Sequence, residues 1–149
     1  MEIKKLDNEG LEFLTLEEGL RLKPYLDTRK IPTIAVGNTY YEDGTRVKMT
    51  DKPISRERAM NLFHNILKPY ETLVWSVTRD DITQNQFNAL VSLAYNIGQA
   101  GFRTSTVLKR VNERKSMEEL RASFLAWKWS DGKPILLNRR KREFQLYIN

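Results

Sequence analysis

Apolar residues return every three or four positions over most of the chain and alternate over only one short part of it. From Asn8 to Glu18 the residues Leu11, Phe13 and Leu14 predict a helix. Gly19 stops it, a glycine just past the last turn being the common C-terminal cap. Leu22 to Tyr40 is rich in Pro, Thr, Ile, Val and Tyr with polar breaks, and predicts two or three short strands in a meander. "YYEDGTRVKMTDKP" is a loop with a turn at Asp43-Gly44. From Ser55 the helical period returns, with Ala59, Leu62, Phe63, Ile66 and Tyr70 on one stripe. Pro69 falls inside this run. A proline inside a helix costs ~3 kcal/mol, so a kink or break is expected near Lys68. "TQNQFNALVSLAYNIG" opens with a capping box, Thr83 with Gln86, and ends at Gly98. "STVLKRVN" is a short helix closed by Asn112, and "SMEELRASFLAWKW" opens with Ser116 and Glu119 as a second capping box. After a turn at Asp131-Gly132, "LLNRRKREFQLYIN" forms a basic final helix.

These elements predict an α+β fold, mostly helical, in two lobes around a cleft. The small N-terminal β-sheet lobe covers about 12–55, and the larger helical lobe about 56–149 plus the first helix. At 149 residues the whole chain is expected to be one domain, and a cleft between lobes is a natural place for a ligand.

Composition narrows the chemistry. With no cysteine, a disulfide framework, a thiolate nucleophile and a Cys-type zinc site are excluded. The single histidine, His64, argues against a His-based triad or a multi-His metal site, and no metal or cofactor is expected. His64 itself is read as a structural or surface residue. No apolar run is long enough to span a bilayer and the first residues lack the pattern of a signal peptide, so folding in a cytoplasm is expected. A net charge of +6 and a pI near 9.6 favour polyanions: nucleic acid, an anionic membrane or bacterial cell wall.

The candidate chemistry lies in "LTLEEGLRLKPYLDTRKIPTIAVGN", Leu14 to Asn38. Glu18 ends a helix, where the dipole's negative end disfavours a charged carboxylate, as a general acid needs. The helical wheel does not separate it from Glu17. Asp27, near the turn out of the first strand, is expected to stay ionised, and two carboxyls in unlike environments are the usual machinery of glycoside hydrolysis. Acidic residues at helix ends and turns are also commonly just solvated. In "PTIAVG", alternation puts Pro32, Ile34 and Val36 on an apolar face and Thr33, Ala35 and Gly37 on a small face that a ligand could approach.

The stretch from Glu18 to Asn38 resembles the signature of phage-type lysozymes, the endolysins of glycoside hydrolase family 24. Glu18-Gly19, Tyr25-Leu26-Asp27 and Thr33-Ile34 follow in order, with eight residues between Glu18 and Asp27 and five between Asp27 and Thr33. "ITQNQFNALVSLAYNIG", "RTSTVLKRVN", Trp127 and "RRKREFQLY" extend the likeness over nearly the whole chain. The resemblance implies a lysozyme-like fold and a muramidase that cuts the β-1,4 bond between N-acetylmuramic acid and N-acetylglucosamine in bacterial peptidoglycan. It makes Glu18 the general acid, gives Asp27 the developing charge or the attacking water, and has Thr33 hold that water. Asn96, Ala35, Gly37 and Ser105 become substrate-contact candidates, with helix capping the competing role for Asn96 and Ser105. Arg140, supported by Arg139, becomes the residue that ties the last helix to the first and tunes Glu18. Arg139, Lys141 and Arg142 otherwise read as a solvated face. Two departures stand out: the family usually has glycine where this chain has Lys30 and Ala35. The implied setting is a monomeric phage or prophage endolysin, held in the host cytoplasm until release and then acting on the wall. The rival readings are a catalytically weak peptidoglycan-binding relative and a basic nucleic-acid binder.

Overall fold

The computed structural model describes residues 2–149, and seven α-helices, one short 3-10 helix (Ala126–Lys128) and a two-stranded antiparallel sheet make up its regular structure among these residues. In chain order they are α1 (Asn8–Glu18), β1 (Arg21–Leu26), β2 (Pro32–Ala35), α2 (Arg56–Val77), α3 (Gln84–Ile97), α4 (Gln99–Arg103), α5 (Thr106–Asn112), α6 (Met117–Leu125) and α7 (Leu137–Ile148). The mostly helical fold with a small sheet is the one the hydrophobic pattern predicts. Two strands form where two or three were expected, and the rest of the meander is reduced to isolated bridges, Ile34 with Asn38 and Tyr40 with Arg46.

The chain divides into two compact units. One takes in the residues up to Gly10 together with Pro69–Asn149; the other is Leu11–Lys68. The borders fall inside α1 and α2, whereas the sequence reading assigned residues 56–149 and the whole first helix to one lobe.

In the unit Leu11–Lys68, Ile34, Ala35, Val47, Ala59 and Leu62 form the core, with Leu20, Tyr41 and Ile54 packed on it. The sheet is thus held by the face of α2 that carries Ala59 and Leu62. No break follows at Pro69, and α2 continues to Val77. Proline removes a donor that Asn65 would have received, but Asn65, Lys68 and Pro69 are all exposed, so water can serve that carbonyl. The buried Leu67, Leu73 and Val74 keep their helical register on either side.

In the other unit α3 is the central element. Its residues from Phe87 to Ala94 are all buried, as expected of a helix surrounded by others. α7 packs against α3 and α6, and Phe124, Phe144 and Tyr147 join their rings at 5.7, 5.8 and 6.4 Å. Thr83 closes the capping box with Gln86, and Ser116 Oγ accepts from the Glu119 N–H at 3.2 Å. The first residues lock onto this unit by long-range bonds. Leu6 N–H donates to Glu71 at 2.6 Å, and Asn88 Nδ2 donates to Asp7 at 2.8 Å.

Asp81 joins Arg114 and Arg79 at the surface of the same unit. Hydrogen bonds from Arg114 (2.6 Å) and Arg79 (2.5 Å) hold its carboxyl well below the ordinary 3.8, at about 2. The folded value is depressed, so its stabilising contribution is present above pH 3.8 and lost as pH falls through about 2. A carbon-detected NMR titration of Asp81 is expected to show that midpoint.

Candidate active site

Glu18 is the last residue of α1. Gly19, at φ 79°, returns its N–H to Thr15 O at 3.0 Å and ends the helix. Leu11 and Leu14 are buried, Leu16 is exposed, and Glu17 and Glu18 are both half-buried, so burial does not choose between the two glutamates.

β1 then leads to Asp27, whose side chain organises the hairpin. Its Oδ1 accepts from the N–H of Arg29 (2.8 Å) and of Ile31 (2.9 Å). Its backbone N–H donates to Ile31 O at 3.0 Å, and its carbonyl accepts from Lys30 N–H at 2.9 Å. One carboxylate oxygen therefore belongs to the turn, and Oδ2 remains for other chemistry. Lys30 adopts φ 63°, the left-handed conformation for which glycine is the default in a short hairpin loop. An L side chain there costs ~1–2 kcal/mol.

Across the pair, Thr33 sits opposite Tyr25. Its hydroxyl donates to Ile31 O at 2.7 Å and the residue is 1% exposed. The Thr33 proton is committed, so the oxygen acts toward any further partner as an acceptor. The expected division of β2 into an apolar face and a small open face does not hold. Thr33 and Ala35 are as buried as Ile34, because the strand is covered on both sides. Ala35 has φ 58° and its methyl lies in the core cluster, so its side chain offers no surface to a sugar. Gly37 is exposed, at φ 77°, with its N–H directed to the Tyr25 hydroxyl at 3.3 Å.

Asn96, Ser105, Arg139 and Arg140 belong to the other unit. Asn96 lies within α3, the cap being Gly98, and its Oδ1 accepts from Arg140 Nη2 at 2.6 Å. Ser105 is 6% exposed and caps α5: Oγ accepts from Leu108 N–H at 3.1 Å and donates to Phe102 O at 2.8 Å. The capping role of Ser105 thus replaces the substrate contact. Ser105→Ala is expected to cost about 1 kcal/mol of stability, read by denaturant titration, with KM unchanged.

Arg139 is not part of a solvated face. It is 7% exposed, and Arg140 is fully buried. Both meet Glu143, itself at 0% exposure, at 3.2 Å for Arg139 Nε and 2.8 Å for Arg140 Nε. Ser92 donates to the same carboxylate at 2.5 Å. Burial pushes the Glu143 carboxyl above the ordinary range, and the two guanidiniums and Ser92 pull it back. Sequence reasoning missed Glu143. The signal was present, for Glu143 precedes Tyr147 by four and follows Arg140 by three, a spacing that puts all three on one helix face.

The structure thus gathers Glu18, Asp27 and Thr33 into one compact unit, with Asp27 and Thr33 on one hairpin. Among the described residues, no group of three or more His, Cys, Asp or Glu side chains could hold a metal ion. A sequence profile of the phage lysozymes matches residues 15–143. The chain belongs to the phage lysozyme family. The endolysin of Salmonella phage P22 is 40% identical over 146 residues, covering 97% of this chain and 99% of that protein. The crystal structure of a P22 lysozyme mutant superposes with a TM-score of 0.89 at 38% identity, over 99% of this chain and all of that one. The muramidase domain of SpmX from Asticaccaulis excentricus gives 0.75 at 31% identity, over 99% of each chain. Membership in the phage lysozyme family sets the reaction class, lysozyme hydrolysis of peptidoglycan.

Proposed function

We propose that the chain is a phage or prophage endolysin, a muramidase in which Glu18 protonates the glycosidic oxygen between N-acetylmuramic acid and N-acetylglucosamine. The observation that carries the assignment is the hairpin. It clamps Asp27 by one oxygen only, one short strand beyond the helix that ends at Glu18. A carboxylate fixed this way keeps its second oxygen for the developing positive charge or the attacking water. Thr33, its proton given to Ile31 O, accepts a hydrogen bond from that water. Arg140 holds the Asn96 amide in place and is itself oriented by Glu143, which gives it a positioning role. Ala35 and Ser105 drop out as sugar contacts, while the exposed Gly37 stays a candidate.

The two compact units act as one catalytic domain in this reading, and the protein works as a monomer without a cofactor. It stays in the host cytoplasm until the membrane is breached and then reaches the wall. No helix among the described residues is long and apolar enough to cross a membrane. Digestion of purified peptidoglycan followed by borohydride reduction tests the reaction. Reduced muramic acid ends are expected; reduced glucosamine ends or free peptide would overturn it. The anomer of the first product then separates inversion from retention.

A further inference from the structure

The turn that holds Asp27 exposes two cations, Arg29 and Lys30, and β1 exposes two more, Arg21 and Lys23. Arg21 to Lys30 carries four cations and one carboxylate, Asp27, whose Oδ1 is taken by backbone N–H groups. Two other arginines of this unit face a carboxylate, Arg56 meeting Glu12 at 2.5 Å and Arg58 meeting Glu42 at 2.5 Å, while Arg46 lies over the Tyr40 ring. Among the described residues none of the four hairpin cations forms an ion pair. Arg21 lies over the Tyr25 ring at 4.8 Å, which orders the guanidinium without neutralising it.

Lys30 is the sharper observation. It occupies a left-handed position that glycine would take freely, and it places an ammonium there. A side chain held against a backbone cost, next to a candidate catalytic residue, points to a use for that side chain.

We propose that this cationic hairpin binds the carboxylates of the peptide stems carried by muramic acid, with Lys30 the specificity-determining residue. The inference rests on the muramidase reading. Three residues of chain span at most about 11 Å, so the Lys30 backbone stays within that reach of Asp27. The stem leaves the muramic acid ring beside the bond to be cut, so its carboxylates fall within range of a long cationic side chain.

The test uses intact sacculi and sacculi stripped of stems by an amidase. Lys30→Gly is expected to raise KM on intact sacculi about two- to fivefold at low salt, with kcat and the stripped-glycan KM unchanged. The thermal midpoint is expected to stay level or rise, because glycine relieves the turn. Doubling the loss with Arg29→Gln, and erasing it in high salt, is expected of a screened surface contact. Equal losses on both substrates, no loss on intact sacculi, or binding that follows wall phosphate polymers overturns the proposal. A pelleting assay with wild type and Lys30→Gly reads binding apart from turnover. Lys30-dependent preference for intact sacculi without cleavage would sink the muramidase reading and leave the hairpin's role standing. Cleavage without that preference would do the reverse.

Discussion

Replacing Glu18 by glutamine is expected to lower the rate of wall hydrolysis by about 10²–10⁴-fold, the usual contribution of a positioned proton donor. The amide keeps the shape of the side chain at a half-buried helix end, so the thermal midpoint and binding to sacculi should change little. Glu17→Gln is the necessary companion, because burial treats the two glutamates alike. If Glu17→Gln carries the loss instead, the acid has been placed one residue too late. Asp27 needs a finer instrument than alanine. Asp27→Asn retains an Oδ1 acceptor for the Arg29 and Ile31 N–H groups and removes only the charge, whereas Asp27→Ala also opens the turn. Loss of activity in the asparagine variant with an unchanged melting curve would identify the charge as the working element. Full activity in it would confine Asp27 to a structural role.

The largest loss of stability is expected at Glu143. Removing one partner of a buried ion pair costs about 3–5 kcal/mol, because the remaining charge stays desolvated. Glu143→Ala leaves Arg139 and Arg140 facing a void at 7% and 0% exposure. For a chain of 149 residues, at ~2–4 °C per kcal/mol, the midpoint should drop by roughly 6–20 °C. Glu143→Gln keeps an acceptor for Ser92 and should fall between. Replacing Arg139, Arg140 and Glu143 together by Met, Leu and Leu should recover most of the loss, since a packed apolar set can match a buried ionic one. If the triple variant melts as low as Glu143→Ala, the cluster's worth lies in its shape rather than in paired charge.

These cases mark what a linear sequence carries. Local signals carried furthest: Gly19 ends α1, Thr83 and Gln86 close a capping box, and Lys30 takes the left-handed turn implied by a missing glycine. All are settled by a few neighbouring residues. Signals that depend on what lies across the core carried less. Alternation in β2 assumed one open face, but the strand is covered on both sides from Thr33 onward, so Thr33 and Ala35 went inside with Ile34. Arg139 read as solvated because its charge outweighed its spacing, although a carboxylate four residues on was there to receive it. Pro69 read as a kink or a break, and no break occurs, because propensity ignores the solvent that serves a freed carbonyl. At the site, the order Glu18, Asp27, Thr33 was visible in the sequence. That Asp27 gives one oxygen to its own turn was not.

The way residues up to Gly10 join Pro69–Asn149 bears on how the chain is made. The hairpin unit, Leu11–Lys68, is one continuous stretch and can collapse as it leaves the ribosome. The opening segment must wait. Leu6 finds Glu71 65 positions later, and Asp7 finds Asn88 81 positions later. Such closures carry the entropy of a long loop and slow the step that forms them. Until the end of α2 and then α3 have been synthesised, the first residues of the chain lack these partners, and a nascent chain would display them to proteases and chaperones until those helices arrive.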